Sequence, residues 1–183
     1  MAKVLIFFAD GFEEIEGLAV VDLLRRAGID ITTVSITDKS KVTGSHKISL
    51  DTDIVLDAAD FDSADMLVLP GGMPGTKNLE ACDRLMAQVD RFAADGKKIA
   101  AICAAPTIFG HRGLLHGKKA CCYPGMEGDL TGADVSYDEV SVAGNIITSR
   151  GLGTAIPFAL AIMESLTDKV TADRIGKAVV YRS

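Results

Sequence analysis

The sequence contains one cysteine whose neighbours suit a reactive thiol. Cys103 directly follows the apolar run 98–102, and Ala101 and Ala105 flank it at a distance of two residues. A nucleophile on a tight turn between a strand and a helix needs small residues at these positions, because larger side chains would collide across the turn. Pro106 suits a first helical turn, where its missing N–H costs nothing. The spacing predicts a nucleophile elbow with an acidic thiol at a helix N-terminus, and the alternative is a buried structural cysteine.

Two other segments carry residues that suit chemistry at this thiol. Gly71 and Gly72 follow the apolar run 66–69, and glycines there let a backbone approach a ligand and present N–H groups to an anion. A simple turn at the end of a strand is the alternative. Glu16 lies among apolar residues of the predicted first helix, and a partly buried glutamate tends to keep its proton. Gly72 and Cys103 both follow strands, which favours one shared site.

Two more patterns have a structural and a functional interpretation. The segment 148–154 (T-S-R-G-L-G-T) combines a strand end, a glycine-rich loop and a helix start, and it could form another anion-binding turn. It lacks the spacing of the dinucleotide-binding fingerprint. Asp22 and Arg26 are four residues apart on an apolar helix, which predicts a local ion pair or, alternatively, a subunit contact.

The order of apolar runs and helix signals predicts an α/β fold, a mostly parallel sheet with helices on both faces, in one domain spanning 1–183. Asp10 and Glu13 have capping-box spacing, which predicts a helix from there to about Ala27, ended by Gly28. The other predicted strands cover 4–8, 29–36, 42–43, 48–56, 66–69, 98–102, 118–123 and two segments of 135–149. The other predicted helices cover 78–94, in one or two pieces, a segment from 106, one from a Thr154 cap to 166, and one from a Thr171 cap to 180.

Composition restricts the classes of partner. The net charge is −6, there is no Trp, and no cluster of five basic residues occurs, which argues against nucleic acid and anionic membranes. Four cysteines without a C-x-x-C pair and three histidines give no zinc-ligand spacing, so we expect no metal and no cofactor. The first apolar run is too short for a signal peptide or a membrane span. These features predict a cytoplasmic protein with reduced thiols.

Five motifs together resemble the ThiJ/PfpI superfamily, and within it the DJ-1 branch of parkinsonism-associated protein deglycases and their bacterial relatives. They are G-F-E-E-I-E, R-R-A-G-I, V-L-P-G-G, A-A-I-C-A-A-P-T and T-S-R-G-x-G-T, in the family's order and spacing along nearly the whole chain. The resemblance implies a flavodoxin-like three-layer sandwich and a homodimer. It implies that Cys103 is the reactive thiol and that a protonated Glu16 is hydrogen-bonded to its sulfur. Oxyanion or substrate binding is implied for Gly71, Gly72, Ala104, Tyr123, Arg26 and His46, with Arg26 and His46 around the pocket and the dimer interface.

The chain departs from this family's pattern at three positions. Ala104 replaces the histidine that follows the cysteine in the peptidase branch, so no local Cys–His dyad forms and proteolysis is disfavoured. Tyr123 stands where the human-type member has a pocket histidine, and a phenol is a far weaker base than imidazole near neutral pH. Leu152 replaces the usual proline of the last motif.

Two functions of different classes follow. The first is a cysteine-dependent, stress-protective enzyme, glyoxalase- or deglycase-like, acting on small reactive α-oxoaldehydes such as methylglyoxal through Cys103 and Glu16. The second is an oxidative-stress sensor or redox-regulated chaperone that works through a Cys103 sulfinate. The resemblance supplies the substrate class, whereas the residues supply a thiol, an acid and an anion-binding loop.

Overall fold

A seven-stranded sheet forms the centre of the protein in the computed structural model, which describes residues 2–182. Its strands are β1 (Lys3–Phe8), β2 (Asp30–Ser35), β5 (Ile54–Val55), β6 (Met66–Leu69), β7 (Lys98–Ile102), β10 (Val140–Ala143) and β11 (Ile146–Ser149). The order across the sheet is β10-β11-β7-β6-β1-β2-β5, and only the β10–β11 pair is antiparallel. The predicted α/β class and mostly parallel sheet are confirmed.

Helices cover both faces of this sheet, as predicted. They are α1 (Glu14–Arg26), α2 (Gly75–Glu80), α3 (Asp83–Ala94), α4 (Pro106–His111), α5 (Ala155–Leu166) and α6 (Lys169–Ala178). One apolar core contains side chains of α1, α5 and α6, and the other contains side chains of α2, α3 and α4. The sheet and the helices on its two faces form the three layers of a flavodoxin-like sandwich.

The central strands are apolar on both sides because both faces are covered. Leu5 and Phe7 of β1 belong to one core, whereas Ile6 and Phe8 belong to the other, and all four are buried. This assignment follows from the period of two in a strand, which turns successive side chains to opposite faces. A continuous apolar run is therefore the pattern that a doubly covered parallel strand requires.

A short antiparallel hairpin leaves the sheet between β2 and β5. It consists of β3 (Lys41–Thr43) and β4 (Ser49–Asp51), which confirms the predicted antiparallel excursion. Strands β8 (Lys119–Ala120) and β9 (Asp134–Val135) form another small pair, so the predicted strand over 118–123 is shorter than expected. Within residues 2–182, no helix combines the length and apolarity needed to cross a membrane.

Three predicted helix caps are wrong. Helix α1 begins at Glu14, and the Asp10 carboxylate accepts from the Thr43 N–H at 2.8 Å, so it ties the first loop to the hairpin. Helix α6 is capped by Asp168, which accepts from the Thr171 N–H at 2.7 Å. Thr154 precedes α5, but its hydroxyl hydrogen-bonds within the preceding loop. Asp10 and Thr154 thus bond to other partners, and Asp168 takes the capping position that was expected for Thr171.

Candidate active site

Four neighbouring parallel strands end at one edge of the sheet, and the loops that follow them meet there. Strands β11, β7, β6 and β1 are adjacent in this order. The loop after β7 carries Cys103, the loop after β6 carries Gly71 and Gly72, and the loop after β11 carries Gly151. The loop after β1 leads into α1, which carries Glu16. Carboxyl ends of parallel strands are where sheets of this kind bind ligands.

Cys103 has the backbone of a nucleophile elbow. Its φ is +66°, a left-handed conformation that costs a non-glycine residue about 1–3 kcal/mol. Two hydrogen bonds maintain it, since its N–H donates to the Ser149 carbonyl at 3.0 Å and its carbonyl accepts from the Tyr123 N–H at 2.7 Å. Ala101 and Ala105 are fully buried on either side, as the spacing predicts. Neighbouring loops therefore hold the thiol in a strained position that its own strand and helix would not impose.

The Glu16 carboxyl group and two backbone N–H groups surround the Cys103 sulfur. Glu16 is 1% exposed, and its carboxyl group lies next to Cys103, since a Cβ atom at residue 71 would contact both. Burial raises the pKa of Glu16 to about 7, although hydrogen bonds from Cys103 and Gly71 oppose the rise. The backbone N–H groups of Gly72 and Ala104 lower the pKa of the thiol, which is the effect of donors near a sulfur. The arrangement places an acid and two anion-stabilising donors around one nucleophile.

The prediction of an acidic thiol at a helix N-terminus is wrong, because the pKa of the Cys103 thiol is raised and not lowered. Burial and the Glu16 carboxylate raise the pKa of the Cys103 thiol to about 12, while the Gly72 and Ala104 N–H groups lower it. Helix α4 has only six residues, so its dipole is small. Because Glu16 and Cys103 disfavour each other's charge, the pair holds one negative charge, and thiolate forms when Glu16 retains the proton.

Gly71 does not act as an anion donor, contrary to expectation. Its N–H donates to Glu16 Oε2 at 3.0 Å and is therefore occupied. A Cβ atom at residue 71 would lie 2.5 Å from the Cys103 Cβ and 2.7 Å from Glu16 Oε2. Gly71 thus serves as the contact point between nucleophile and acid, where no larger residue fits.

One oxygen of Glu16 has no partner. Oε1 is buried and accepts no hydrogen bond from the protein within residues 2–182. It faces Gly151, since a Cβ atom there would lie 3.8 Å from it. The same Cβ would lie 3.5 Å from the Tyr123 ring, half of whose residue surface is exposed. Tyr123 and Gly151 therefore lie side by side, next to a carboxyl oxygen that can accept a hydrogen bond from a ligand.

Within one chain Arg26 lies away from Cys103 and Glu16, and its expected place at the dimer interface stays a prediction. It is the last residue of α1, ten residues and about 15 Å of helix beyond Glu16. Its guanidinium donates to Asp22 at 2.7 Å, which confirms the predicted ion pair. A helix cannot present residues ten positions apart to the same small cavity.

His46 is also separated from the thiol. Its Nδ1 lies 3.1 Å from Glu14 Oε2 and 3.6 Å from Glu13 Oε2, and its side chain is 67% exposed. A hydrogen bond to Glu14, with the charges of Glu13 and Glu14, raises the pKa of His46. The expectation of a pocket residue is corrected, since the hairpin directs this imidazole to the acidic start of α1.

The carboxylate of Glu14, at the start of α1, is buried and hydrogen-bonded. Oε1 accepts from the backbone N–H groups of His46 at 2.8 Å and Ile48 at 3.3 Å. These bonds lower the pKa of Glu14 against the effect of burial. Gly44 leaves the space for this carboxylate, because a Cβ there would overlap it.

The loop after β11 is not an anion-binding turn. The Gly151 N–H donates to Thr154 Oγ1 at 3.0 Å, and Arg150 donates to the Tyr137 carbonyl at 3.4 Å. Ser149, the last residue of β11, instead contributes the carbonyl that accepts from the Cys103 N–H. The sequence pattern singled out the segment 148–154, but it gave Ser149 and Gly151 another role.

Comparison with known proteins identifies the family. A family model described as DJ-1/PfpI matches residues 2–165. The chain belongs to the DJ-1/PfpI family. A DJ-1/PfpI relative from Arabidopsis thaliana, Protein DJ-1 homolog B, is 37% identical over 179 residues, which are 97% of this chain and 41% of the relative. The chain thus spans less than half the length of that relative and of homolog A, of which it covers 46%.

Two further DJ-1/PfpI relatives match over most of their own length. The protein named Deglycase PH1704 from Pyrococcus horikoshii is 31% identical over 150 residues, which are 81% of this chain and 89% of the relative. The solved structure of oxidized Toxoplasma gondii DJ-1 is 35% identical, covers 100% of both chains and superposes with a TM-score of 0.95. The flavodoxin-like architecture is therefore that of the DJ-1/PfpI family.

Proposed function

We propose that the protein is a cysteine-dependent, stress-protective enzyme that converts small reactive α-oxoaldehydes such as methylglyoxal. The observation that carries the proposal is the buried Glu16 carboxyl group beside Cys103, in a place where the Gly72 and Ala104 N–H groups lower the pKa of the thiol. A nucleophile, a titrating acid and an anion-binding pair are the groups that addition to a carbonyl requires.

In the first step, the Cys103 thiolate attacks the aldehyde carbon. The new C–S bond takes the sulfur's electron pair, and the π electrons of the C=O bond move to the oxygen. The N–H groups of Gly72 and Ala104 stabilise this oxyanion. Glu16 then gives its proton to the oxygen, which leaves a neutral hemithioacetal and a Glu16 carboxylate.

In the second step, the Glu16 carboxylate removes the hydrogen that the aldehyde carbon still carries. The resulting enediol takes a proton at the neighbouring carbon, so the first carbon is oxidised to a thioester and the second is reduced to an alcohol. Water hydrolyses the thioester to a hydroxy acid and releases the thiol. The oxidation and reduction balance within the substrate, and no external oxidant or cofactor takes part.

The substrate class comes from the relatives and from the absence of a base next to the thiol. Two archaeal relatives, PH1704 and TK1284, are named deglycases. Deglycation would use the same thiolate on an adduct of an α-oxoaldehyde with an amine or thiol, and it would release the repaired group. Ala104 follows Cys103 and cannot supply the base of a Cys–His peptidase dyad.

Formation of lactate from methylglyoxal tests the proposal. We expect Cys103→Ser to abolish turnover, and Cys82→Ser, which removes another partly exposed thiol, to leave it unchanged. Glu16→Gln keeps the shape but loses the titrating proton, so turnover should fall by roughly 10² or more. Full activity in Glu16→Gln would make Glu16 a structural residue and refute the mechanism.

A second candidate is an oxidative-stress sensor or redox-regulated chaperone. Two oxidations by a peroxide would convert the Cys103 thiolate to a sulfenic and then a sulfinic acid. The same donors and the Glu16 acid can hydrogen-bond sulfinate oxygens, and the Toxoplasma gondii relative is described as oxidized. The sensor is favoured if no α-oxoaldehyde is converted and a stable sulfinate forms only when Glu16 is intact.

We also propose a cytoplasmic location, a homodimer and no nucleic-acid or membrane partner. All four cysteines are free thiols, which suits a reducing compartment. A net charge of −6 disfavours polyanionic partners.

A further inference from the structure

The start of α1 and the turn of the hairpin bring three metal-ligating side chains together outside the thiol site. Glu13, Glu14 and His46 each offer one donor atom, and these atoms all lie within 4.8 Å of one another. The His46 Nδ1 is 3.1 Å from Glu14 Oε2 and 3.6 Å from Glu13 Oε2. Ser45 Oγ lies beside them, 3.1 Å from the same nitrogen.

We propose that Glu13, Glu14 and His46 form a binding site for a divalent transition-metal ion, with zinc as the best match. Bonds of 2.0–2.1 Å to a tetrahedral zinc ion separate its ligands by roughly 3.3–3.4 Å, which lies between the two distances that His46 makes. One imidazole nitrogen and two carboxylate oxygens are a donor set that zinc uses. A water molecule would complete the coordination.

The Glu14 carboxylate is already oriented for metal binding. Glu14 directs Oε2 toward the cluster because its other oxygen accepts the backbone N–H groups of His46 and Ile48. Such outer hydrogen bonds hold ligands in place in metal sites. Gly44 permits this seating, since any side chain at that position would overlap the Glu14 carboxylate.

The charge of the cluster also favours a cation. Within residues 2–182, His46 is the only basic side chain that comes within 4.0 Å of a Glu13 or Glu14 carboxylate. Two carboxylates converging on one imidazole need a proton or a metal ion between them. The pattern is invisible in the sequence because the ligands come from segments more than thirty residues apart.

Titration of the metal-free protein with Zn²⁺, followed by calorimetry, tests the proposal, with Co²⁺ as the spectroscopic probe. We expect one ion per chain and a Co²⁺ spectrum of a tetrahedral nitrogen–oxygen site without sulfur-to-metal charge transfer. His46→Ala and Glu13→Gln should each weaken binding at least tenfold. The matched control is His111→Ala, because His111 also contacts carboxylates, Glu80 at 2.7 Å and Asp129 at 3.9 Å. The Zn²⁺ affinity of His111→Ala should stay within twofold of that of the wild type.

Two outcomes would overturn the proposal. If Cys103→Ser abolishes Zn²⁺ binding, the ion is bound by the thiol site. If His46→Ala and His111→Ala bind equally well, binding is adventitious. Thermal unfolding of each variant verifies the fold, and the stoichiometry per chain applies to a monomer and a homodimer alike. Lactate formation is measured separately, so failure of this site leaves the carbonyl chemistry untouched.

Discussion

At the residue scale, the Cys103 and Glu16 pair is controlled by one shared charge. Burial raises the pKa of Glu16 to about 7, and burial together with the Glu16 carboxylate raises the pKa of Cys103 to about 12. Below pH 7 both are protonated, whereas above it the pair carries one charge that either atom can hold. The reactive form therefore has the proton on Glu16 and the charge on sulfur, next to the Gly72 and Ala104 N–H groups.

Glu16 should make the protein less stable as pH rises. Its folded-state pKa of about 7 exceeds the ordinary value of 4.5, so the native state binds more protons than the unfolded state between these values. Its stability contribution is complete below pH 4.5 and is lost as pH rises through 7, by about 3 kcal/mol. Urea unfolding should show Glu16→Gln gaining about that much relative to wild type between pH 4.5 and pH 8. A constant difference at both pH values would contradict a buried, titrating Glu16.

Alkylation by iodoacetamide should mark Cys103 before the other thiols. Cys121 and Cys122 are buried, and burial raises the pKa of each. The rate at Cys103 should rise about tenfold per pH unit up to about pH 7 and then level off, because the pair loses its first proton there. Glu16→Gln should lack this break near pH 7. Peptide mass spectrometry gives the site, and earlier labelling of Cys82 or Cys121 would disprove the elbow interpretation.

At the element scale, the site is built from the segments that follow four strands, because no single element carries both the thiol and the acid. The thiol depends on the end of β11, where the Ser149 carbonyl accepts from the Cys103 N–H, and the acid depends on the loop after β6, where the Gly71 N–H donates to Glu16. These contacts exist because β11, β7, β6 and β1 are neighbours in the sheet. The geometry of the site therefore depends on the order and register of these strands.

A methyl group in the β11 loop should obstruct the site. In Gly151→Ala, the new Cβ would lie 3.8 Å from the unpartnered Glu16 Oε1 and 3.5 Å from the Tyr123 ring. The extended backbone at Gly151 accepts any residue, so stability should change by less than about 0.5 kcal/mol. We expect kcat/KM for methylglyoxal to fall about tenfold. Gly153→Ala is the control, since a Cβ there meets nothing within 4 Å; equal activity of the two variants would mean that substrate does not reach Glu16 Oε1.

At the scale of the whole molecule, one sheet serves both apolar cores. Adjacent residues of β1 and β7 belong to opposite cores. One core therefore cannot unfold without disrupting strands that also form the other core. We therefore expect 1–183 to unfold as one domain. Fluorescence and circular dichroism should give coincident urea transitions, and two separate transitions would contradict one domain.

The proposed homodimer should use an exposed apolar patch formed by Ile15 and Leu18 of α1 and Ile48 of the hairpin turn. The Glu14 bond to the Ile48 N–H holds these two elements together. Light scattering should give twice 19.3 kDa. Leu18→Lys should shift the protein toward monomer, while Val170→Lys, on the exposed face of α6, should not. A wild-type monomer would exclude this interface.

The sequence by itself determined the α/β class, the strands of the sheet and the elbow at Cys103. These depend on local pattern: doubly buried strands need continuous apolar runs, and a tight strand-to-helix turn needs Ala101 and Ala105. Local pattern did not determine where helices start, because the Asp10 carboxylate accepts from the Thr43 N–H instead of capping α1. The importance of Glu16 came from the family resemblance, since a buried glutamate on a helix is usually compatible with several roles.

Only the tertiary structure determined which residues lie around the Cys103 thiol and which lie away from it. Gly71 and Glu16 are 55 residues apart, and their hydrogen bond depends on β6 lying next to β1. The length of α1 separates Arg26 from Glu16, and the β3–β4 hairpin brings His46 to Glu13 and Glu14. Periodicity specifies which face of an element is buried, but contacts between distant segments depend on strand order, and strand order is a property of the folded chain.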